Sequence, residues 1–481
     1  MIVERFYDEK LAQASYMVGC AATGEAIVID PNRDTEPYVA AAKSEGLRIT
    51  HITETHIHAD FVSGARELAE RTKGRLYLSG EGGPDWSYGF AERVGAQLIR
   101  DGDRIRVGNV VLDVMHTPGH TPEHVCFLVT DTAGADAPMG IFTGDFVFVG
   151  DVGRPDLLER AAGHGGTMDA AARDLFRSLA RFRALPEWVQ VWPGHGAGSA
   201  CGKALGAVPS TTVGYELRFN WAFGHDLEDA FVEAVLEGQP EPPRYFAEMK
   251  RINRDGPRLL GDFRRPDRMA DARLEEALRG EGPVVDTRRA ADFAAGHVPG
   301  TISIPLNRSF TTWAGSLLPY DTPFTLIVAE DRAGALDEGV RDLAMIGLDR
   351  IAGWFGTSAI DAWADRHGEL ARIEQVDAAA LAEGVESGRV QLVDVRGRSE
   401  WEAGHVAGAT HIPLNTLQQR LDEVRRDTEV VLQCATGSRS AIAAALLRAN
   451  GFERVANHQG GFEQWRREGL PVEVGDAPVS T

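Results

Sequence analysis

The rhythm of apolar and polar positions changes twice along this chain. Over roughly residues 1–235, short apolar runs alternate with glycine-rich turns and a few helical patterns. Gly24 to Pro31 reads as a buried strand ending in a turn, Arg48 to Thr55 as a second strand, and Val62 to Lys73 has helical spacing. The segment Thr55-His56-Ile57-His58-Ala59-Asp60-Phe61 therefore falls at a strand-to-helix junction, where side chains converge on a cleft. From about residue 236 to 268 the texture becomes that of a charged, proline-containing connector. An internal repeat follows. Asp286-Thr287-Arg288, Gly296-His297-Val298 and Ile304-Pro305-Leu306-Asn307 return as Asp394-Val395-Arg396, Gly404-His405-Val406 and Ile412-Pro413-Leu414-Asn415, each displaced by 394 − 286 = 108 positions. A strand ending in Asp, a helix, and a G-H-V turn into another strand describe an α/β unit with a parallel sheet, expected at 269–370 and again at 374–474. Residues 475–481 read as a tail.

Composition narrows the function. With 50 Lys+Arg against 71 Asp+Glu the net charge is −21, which argues against an extended nucleic-acid footprint. The N-terminal residues lack the apolar core of a signal peptide and no run of 18 apolar residues occurs, so the expectation is a soluble cytoplasmic protein with no membrane partner. Cys20, Cys126, Cys201 and Cys434 are far apart, so any special cysteine acts singly; Cys20 and Cys126 sit in apolar surroundings and read as core.

Three segments add chemistry to the histidine loop. Thr117-Pro118-Gly119-His120 places a histidine in a tight turn, Thr143-Gly144-Asp145 ends an apolar strand with a carboxylate, and Pro193-Gly194-His195-Gly196 supplies another histidine. His56, His120 and Asp145 can occupy one face of a metal and leave three positions open, an arrangement that suits Fe(II) binding substrate and O2 side by side. Phe61 cannot coordinate. Beyond His195, the glycine-rich stretch puts Cys201 in what reads as an accessible loop, as a persulfide carrier or a guard of the substrate entrance. Tyr215 and Arg218 are candidate contacts for an anionic thiol carrier.

In the last third, an apolar strand delivers Cys434 to the loop Ala435-Thr436-Gly437-Ser438-Arg439-Ser440, which runs into an alanine-rich helix. Backbone N–H groups and the helix dipole converge on the sulfur and stabilise a thiolate or persulfide. Arg439 lies five residues after the cysteine, one fewer than in cysteine phosphatases, which favours sulfane sulfur over phosphate. The corresponding loop of the first repeat, Glu330-Asp331-Arg332-Ala333-Gly334, has no cysteine, and its carboxylates would repel a persulfide anion.

On these motifs residues 1–235 resemble the persulfide dioxygenase branch of the metallo-β-lactamase fold, a relative of glyoxalase II, and the repeats resemble rhodanese. The order resembles persulfide dioxygenase–rhodanese fusion proteins. The superfamily loop ordinarily reads H-x-H-x-D-H, its last histidine serving a second metal, and Phe61 stands in that place. The resemblance implies an α/β multidomain protein, with an N-terminal αββα sandwich followed by two rhodanese-like domains with parallel sheets, the first of them degenerate. It implies one non-heme Fe(II) per chain held by His56, His120 and Asp145, with His58, Asp60 and His195 supporting those ligands. It implies a low-molecular-weight persulfide and O2 as substrates, sulfite or thiosulfate as products, and Cys434 as the sulfur-transfer nucleophile. A zinc thioester hydrolase resembling glyoxalase II, fused to a rhodanese sulfur carrier, is the alternative. The identity of the thiol, the direction of sulfur transfer and whether the chain forms a homo-oligomer stay open.

Overall fold

A computed structural model describes residues 1–157, 166–203, 205–239, 241–261 and 263–475. The chain divides into two compact units, Met1–Phe263 with Ala344–Gly347, and Arg264–Leu343 with Leu348–Thr481. The tail expected at 475–481 lies, beyond Gly475, outside the described residues.

The first unit contains two six-stranded sheets. One runs in the order Ile2–Asp8, Gln13–Cys20, Glu25–Ile29, Arg48–Thr53, Arg75–Ser79, Gln97–Ile99; the other in the order Thr211–Thr212, Gln190–Pro193, Gly140–Gly144, Val125–Asp131, Val110–His116, Arg104–Val107. The alternation of side chains along the strands explains why the sheets pack face to face. Tyr16, Val18, Ile27 and Ile29 join Val110, Leu112, Phe127 and Phe142 in one buried cluster between the sheets. Their neighbours Met17, Ala26 and Val28 point the other way, against Tyr38, Ala42, Ala65 and Leu68 of the helices Glu36–Ser44 and Ala65–Thr72. Cys126, Ile141 and Val191 do the same against Ala172, Leu175, Leu179 and Phe182 of helix Met168–Arg183. Helix, sheet, sheet, helix is the expected αββα order. Strands covered on both faces read as continuous apolar runs, which is why they were legible as buried. Each fully buried Val, Leu, Ile or Phe contributes about 1.5–3 kcal/mol.

The connector expected over 236–268 differs from a plain linker. It carries the helix Phe246–Asp255, which belongs to the first unit. Asn253 donates through Nδ2 to the carbonyls of His58 and Phe61 at 2.8 and 2.7 Å, and its Oδ1 accepts from the Ser63 amide at 2.9 Å. A helix from the connector thus clamps the histidine loop from behind.

The second unit holds two parallel sheets. Their strand orders are Ile302–Ser303, Val284–Asp286, Phe324–Val328, Ile351–Gly356, and Thr410–His411, Val390–Asp394, Glu429–Gln433, Val455–His458, Glu374–Val376. The first four strands of each correspond, and so do their hydrogen bonds. Arg288 donates to Asp286 and to the Gly296 carbonyl, as Arg396 does to Asp394 and to Gly404. His297 Nδ1 bonds the Phe293 carbonyl and His405 Nδ1 that of Trp401, both at 3.0 Å, each imidazole stacked on the ring of that residue. Helix Ser438–Ala449 packs against strand Ile302–Ser303 and helix Ala290–Ala295 of the preceding repeat, and its residues Ile442 to Leu447 are all buried. No helix among the described residues is long and apolar enough to cross a membrane.

Candidate active sites

The metal donors arrive at strand ends. Arg48–Thr53 leads to His56, Gly140–Gly144 leads to Asp145, and the parallel neighbour of the latter, Gln190–Pro193, leads to His195. His56 Nε2 lies 3.9 Å and His120 Nε2 3.5 Å from Asp145 Oδ2, and one donor atom from each of the three lies within 4.8 Å of the others. Donors about 2.1 Å from one ion stand about 3 Å apart, so each histidine has to close on Asp145 by less than about 1 Å to share a metal with it. All three side chains are buried, and His56 Nε2 and both Asp145 oxygens take no hydrogen bond. Orphaned buried polar atoms of this kind fit a metal.

The rest of each histidine is already committed. Thr55 Oγ1 donates to Asp30 Oδ2 at 2.9 Å and faces His56 Nδ1 at 2.9 Å. With its proton given to Asp30, the hydroxyl accepts from Nδ1–H and leaves the Nε2 lone pair for the metal. His120 Nδ1 donates to the Arg154 carbonyl at 3.0 Å with the same effect. Burial holds His56 well below and His120 below the ordinary imidazole range, so both are neutral and ready to ligate. Burial opposes charge on Asp145, yet His195 beside it outweighs burial and holds the carboxyl well below its usual range. Gly144, at φ +48°, must be glycine: a Cβ there would lie 2.4 Å from Thr55 Oγ1.

The residues expected as supports, His58, Asp60 and His195, lie close to the three donors or to one another. His58, pushed down by burial but raised more by Asp30, sits at about 9 and contacts Asp30 Oδ1 through Nε2 at 3.2 Å. Phe61 is fully buried, its ring 4.4 Å from that of His58. His195 Nδ1 donates to the Ala12 carbonyl at 2.9 Å, while Nε2 lies 3.2 Å from Asp60 Oδ2 and 3.4 Å from Asp145 Oδ2. Burial lowers the His195 pKa, but Asp145, Cys201 and Asp60 prevail and hold it well above its ordinary value.

Cys201 corrects the expectation of an accessible loop. It is 1% exposed, its thiol pushed up to about 12 by burial, and it is gathered with Asp60 and His195 rather than facing solvent. The glycines that suggested openness instead let the loop fold inward. Tyr215 and Arg218 lie on exposed positions of helix Val213–Phe219, Tyr215 against Phe219, and are not among the residues gathered at the metal donors. A cleft of about 300 Å3, lined by Trp86, Gly119, Pro122 and Thr167 among others, opens beside the His120 turn.

Sequence reasoning missed three positioning residues. His124 Nε2 accepts from the Asp145 amide at 3.2 Å, and its ring stacks 5.1 Å from that of His56; its place four residues after His120 was the available signal. Asp30 orients both Thr55 and His58. Arg154, fully buried, pairs with Asp156, and its backbone carbonyl holds His120. Nothing in its local sequence distinguishes it.

The second candidate site lies where the later parallel sheet meets helix Ser438–Ala449. Cys434 follows strand Glu429–Gln433, and its Sγ accepts from the Gly437 amide at 3.2 Å and from Ser440 Oγ at 3.4 Å. Gly437 has φ +90° and a Cβ there would lie 2.0 Å from the Gln459 carbonyl oxygen, so the loop closes only with glycine. Thr436 and Ser438 are exposed at the loop tip, and Ala435 gives its carbonyl to the Glu463 amide. Arg439 forms two 2.6 Å bonds to Glu400, which holds it beside the loop. Ala329, following strand Phe324–Val328, stands where Cys434 stands in the later repeat.

Comparison with known proteins agrees with this division. The metallo-beta-lactamase superfamily matches residues 9–195 and the rhodanese-like domain family matches residues 377–468. A metallo-beta-lactamase from Staphylococcus aureus is 41% identical in sequence, with TM-score 0.66 over 74% of this chain and 99% of its own. A hydroxyacylglutathione hydrolase from Nitrosococcus oceani is 35% identical over 182 residues, 38% of this chain and 61% of that protein. This chain thus spans about three fifths of the length of such curated relatives. The uncharacterized protein YqhL of Bacillus subtilis is 47% identical over 77 residues, 16% of this chain and 61% of its own.

Proposed function

This chain belongs to the metallo-β-lactamase superfamily and ends in a rhodanese-like domain, and on that premise we propose that it is an iron-dependent persulfide dioxygenase coupled to a sulfurtransferase. The observation that carries the reading is the donor set itself: two neutral imidazoles and one carboxylate on one side, with a buried phenyl ring at the position where the superfamily loop places another histidine.

The overall reaction is RSSH + O2 + H2O → RSH + SO3²⁻ + 2 H⁺. Iron(II), when bound, supplies redox chemistry and open coordination positions. The protein supplies the rest. His56, His120 and Asp145 would hold the ion. The buried surroundings of His58, Phe61 and Phe148 limit water, and His195 Nε2, kept protonated by its carboxylate neighbours, can give a proton to the departing thiolate. At the second site the Cys434 thiolate attacks a sulfane sulfur and becomes a persulfide, releasing thiol from RSSH or sulfite from thiosulfate. Sulfite takes that sulfur as thiosulfate in the reverse direction. The Gly437 amide and Ser440 hydroxyl stabilise the sulfur anion in either direction. The earlier repeat, with Ala329 in place of a nucleophile, is a degenerate rhodanese module that buttresses helix Ser438–Ala449.

The hydroxyacylglutathione hydrolase relatives favour a second reading, a zinc thioester hydrolase. Metal analysis of protein purified without added metal, with O2 uptake measured on defined persulfides, separates the two. About one iron per chain at this site and persulfide-dependent uptake, both lost in His120→Ala, are expected. Zinc with thioester hydrolysis and no O2 uptake would overturn the dioxygenase.

A further inference from the structure

We infer that Gln433 and His458 are positioning residues for Cys434: a buried side-chain relay from Asp394 through Gln433 to His458 ties the strand that delivers the cysteine to the strand that leads into the floor of its loop. The inference rests on the reading of Cys434 as the sulfur-transfer nucleophile. The relay crosses three neighbouring parallel strands, Val390–Asp394, Glu429–Gln433 and Val455–His458. Gln433 Nε2 donates to Asp394 Oδ2 at 3.3 Å, and His458 Nδ1 lies 3.0 Å from Gln433 Oε1. A carboxylate only accepts, so the amide nitrogen faces Asp394, the amide oxygen faces His458, and Nδ1 carries the proton. All three side chains are fully buried.

The earlier repeat shows that the fold does not require this relay. Asp394 pairs along its sheet with Gln433, and His458 stands one step beyond the pairing of Leu432 with Asn457. In the earlier sheet Asp286 pairs with Ile327, and Ile327 with Phe355. Ile327 and Phe355 are fully buried in an apolar cluster. Asp286 keeps its arginine partner, as Asp394 does. The two repeats therefore differ at this level of the sheet in two residues, apolar where no cysteine follows and polar where one does. Burying an amide and an imidazole costs free energy that their hydrogen bonds largely offset, whereas isoleucine and phenylalanine add favourable burial. Stability alone favours the apolar pair.

The relay holds the spacing of loop and floor. Cys434 follows Gln433 directly, and the residues after His458 run against the loop. A Cβ at Gly437 would lie 2.0 Å from the Gln459 carbonyl oxygen, and one at Gly461, at φ +60°, 2.4 Å from that of Ala435. The Phe462 and Glu463 amides donate to the Cys434 and Ala435 carbonyls at 2.8 and 3.0 Å. Loop and floor thus meet backbone to backbone, and the bond between Gln433 and His458 pins them where both begin. The Gly437 amide, 3.2 Å from Cys434 Sγ, rests on that floor, so a shift of the floor moves a donor to the sulfur anion. A displacement of about 1 Å at a reacting group costs on the order of 100-fold in rate.

The test gives the later repeat the earlier one's residues, Gln433→Ile with His458→Phe, in the full-length chain. The double variant should keep the parent's resistance to urea, because isoleucine and phenylalanine already pack at these places in the earlier sheet. Sulfur transfer from thiosulfate to a thiol should fall about 10- to 100-fold in kcat, with KM within about threefold of the parent. Iodoacetamide alkylation of Cys434, followed on its own peptide by mass spectrometry, should slow about tenfold at pH 7 and less than about twofold at pH 10. Charges on Arg396, Asp394, Arg439, Glu400, Asp377 and Glu468 are the same in every variant, and burial holds His458 below its ordinary range and so neutral at pH 7; the profile therefore reads geometry. Asparagine places a donor where His458 has Nδ1, so His458→Asn should return both readings to within about threefold, and His458→Leu should not. Parental kcat and alkylation in the double variant, or equal readings in His458→Asn and His458→Leu, would overturn the inference; if the double variant does not fold, the second comparison decides alone. A parent whose Cys434 alkylates but transfers no sulfur refutes the nucleophile reading, while alkylation still decides the role of the relay.

Discussion

Replacing Thr55 with valine tests how the fold prepares a ligand before any metal arrives. Valine keeps the shape of the side chain and removes one oxygen that serves two neighbours, donating to Asp30 at 2.9 Å and accepting from His56 Nδ1 at 2.9 Å. Without that acceptor the buried Nδ1–H is unsatisfied, or the proton moves to Nε2 and takes the ligating lone pair with it. Loss of such a partner typically costs 10–100-fold in metal affinity, about 1.4–2.8 kcal/mol. That range matches the roughly 1–3 kcal/mol cost of one buried unsatisfied donor. Folding should suffer less, by about 1 kcal/mol, because Asp30 keeps the Thr55 amide at 2.6 Å and His58 at 3.2 Å. Competition with a chromophoric chelator measures the affinity, and chemical denaturation of the metal-stripped protein measures the stability. Thr55→Ser, which restores the oxygen, should return affinity to within about threefold of the parent. Parental affinity in Thr55→Val would show that Thr55 does not set the His56 tautomer.

Three other outcomes are expected. Cys434→Ser should leave iron content and persulfide oxidation nearly intact while abolishing enzymatic thiosulfate formation, so that product analysis finds sulfite; thiosulfate at the parental rate would place the transfer cysteine elsewhere. Phe61→His buries an imidazole against His58 without reshaping the surrounding loops, and strong thioester hydrolysis by that variant would refute the link drawn between Phe61 and oxidation. Burial depresses His297 from 6.5 to about 4, so as pH falls the unfolded chain takes up this proton first. The stabilising contribution is full above pH 6.5 and is lost as pH falls toward 4, by at most about 3 kcal/mol. Urea unfolding at pH 7, 6 and 5 should show this slope, and a slope unchanged in His297→Gln would assign it to another group.

The sequence was most legible where one residue type does one thing at one place. Buried strands announced themselves as apolar runs because both faces of each sheet are covered, and the 108-residue repeat exposed the paired parallel sheets through Asp286 and Asp394, His297 and His405. His56, His120 and Asp145 were legible because each ends a strand or fills a tight turn. Cys434 was legible because strand, loop and helix N-terminus are contiguous. Arg154 was not, since its work is done through backbone atoms and through a pairing with Asp156 that looks like any surface ion pair until it is found fully buried. The helix Phe246–Asp255 was hidden inside a proline-rich, charged stretch, and its role rests on one residue, Asn253, reaching back about 190 positions to the histidine loop.

Cys201 shows why the surroundings of a metal site cannot be read from its loop motif. Phe61 stands in the loop where the superfamily has a histidine, and Cys201, 201 − 61 = 140 residues later, is gathered beside Asp60 and His195. What brings these residues together is the sheet. Strands Gly140–Gly144 and Gln190–Pro193 are parallel neighbours and end together, so Asp145 and His195 emerge side by side at the metal. The chain leaving His195 then passes through Gly196, Gly198 and Gly202, with Gly198 at φ +100°, and turns back within six residues. Which side chains meet beside the donors is therefore set by where strands end and loops return, and the loop motif alone does not record it.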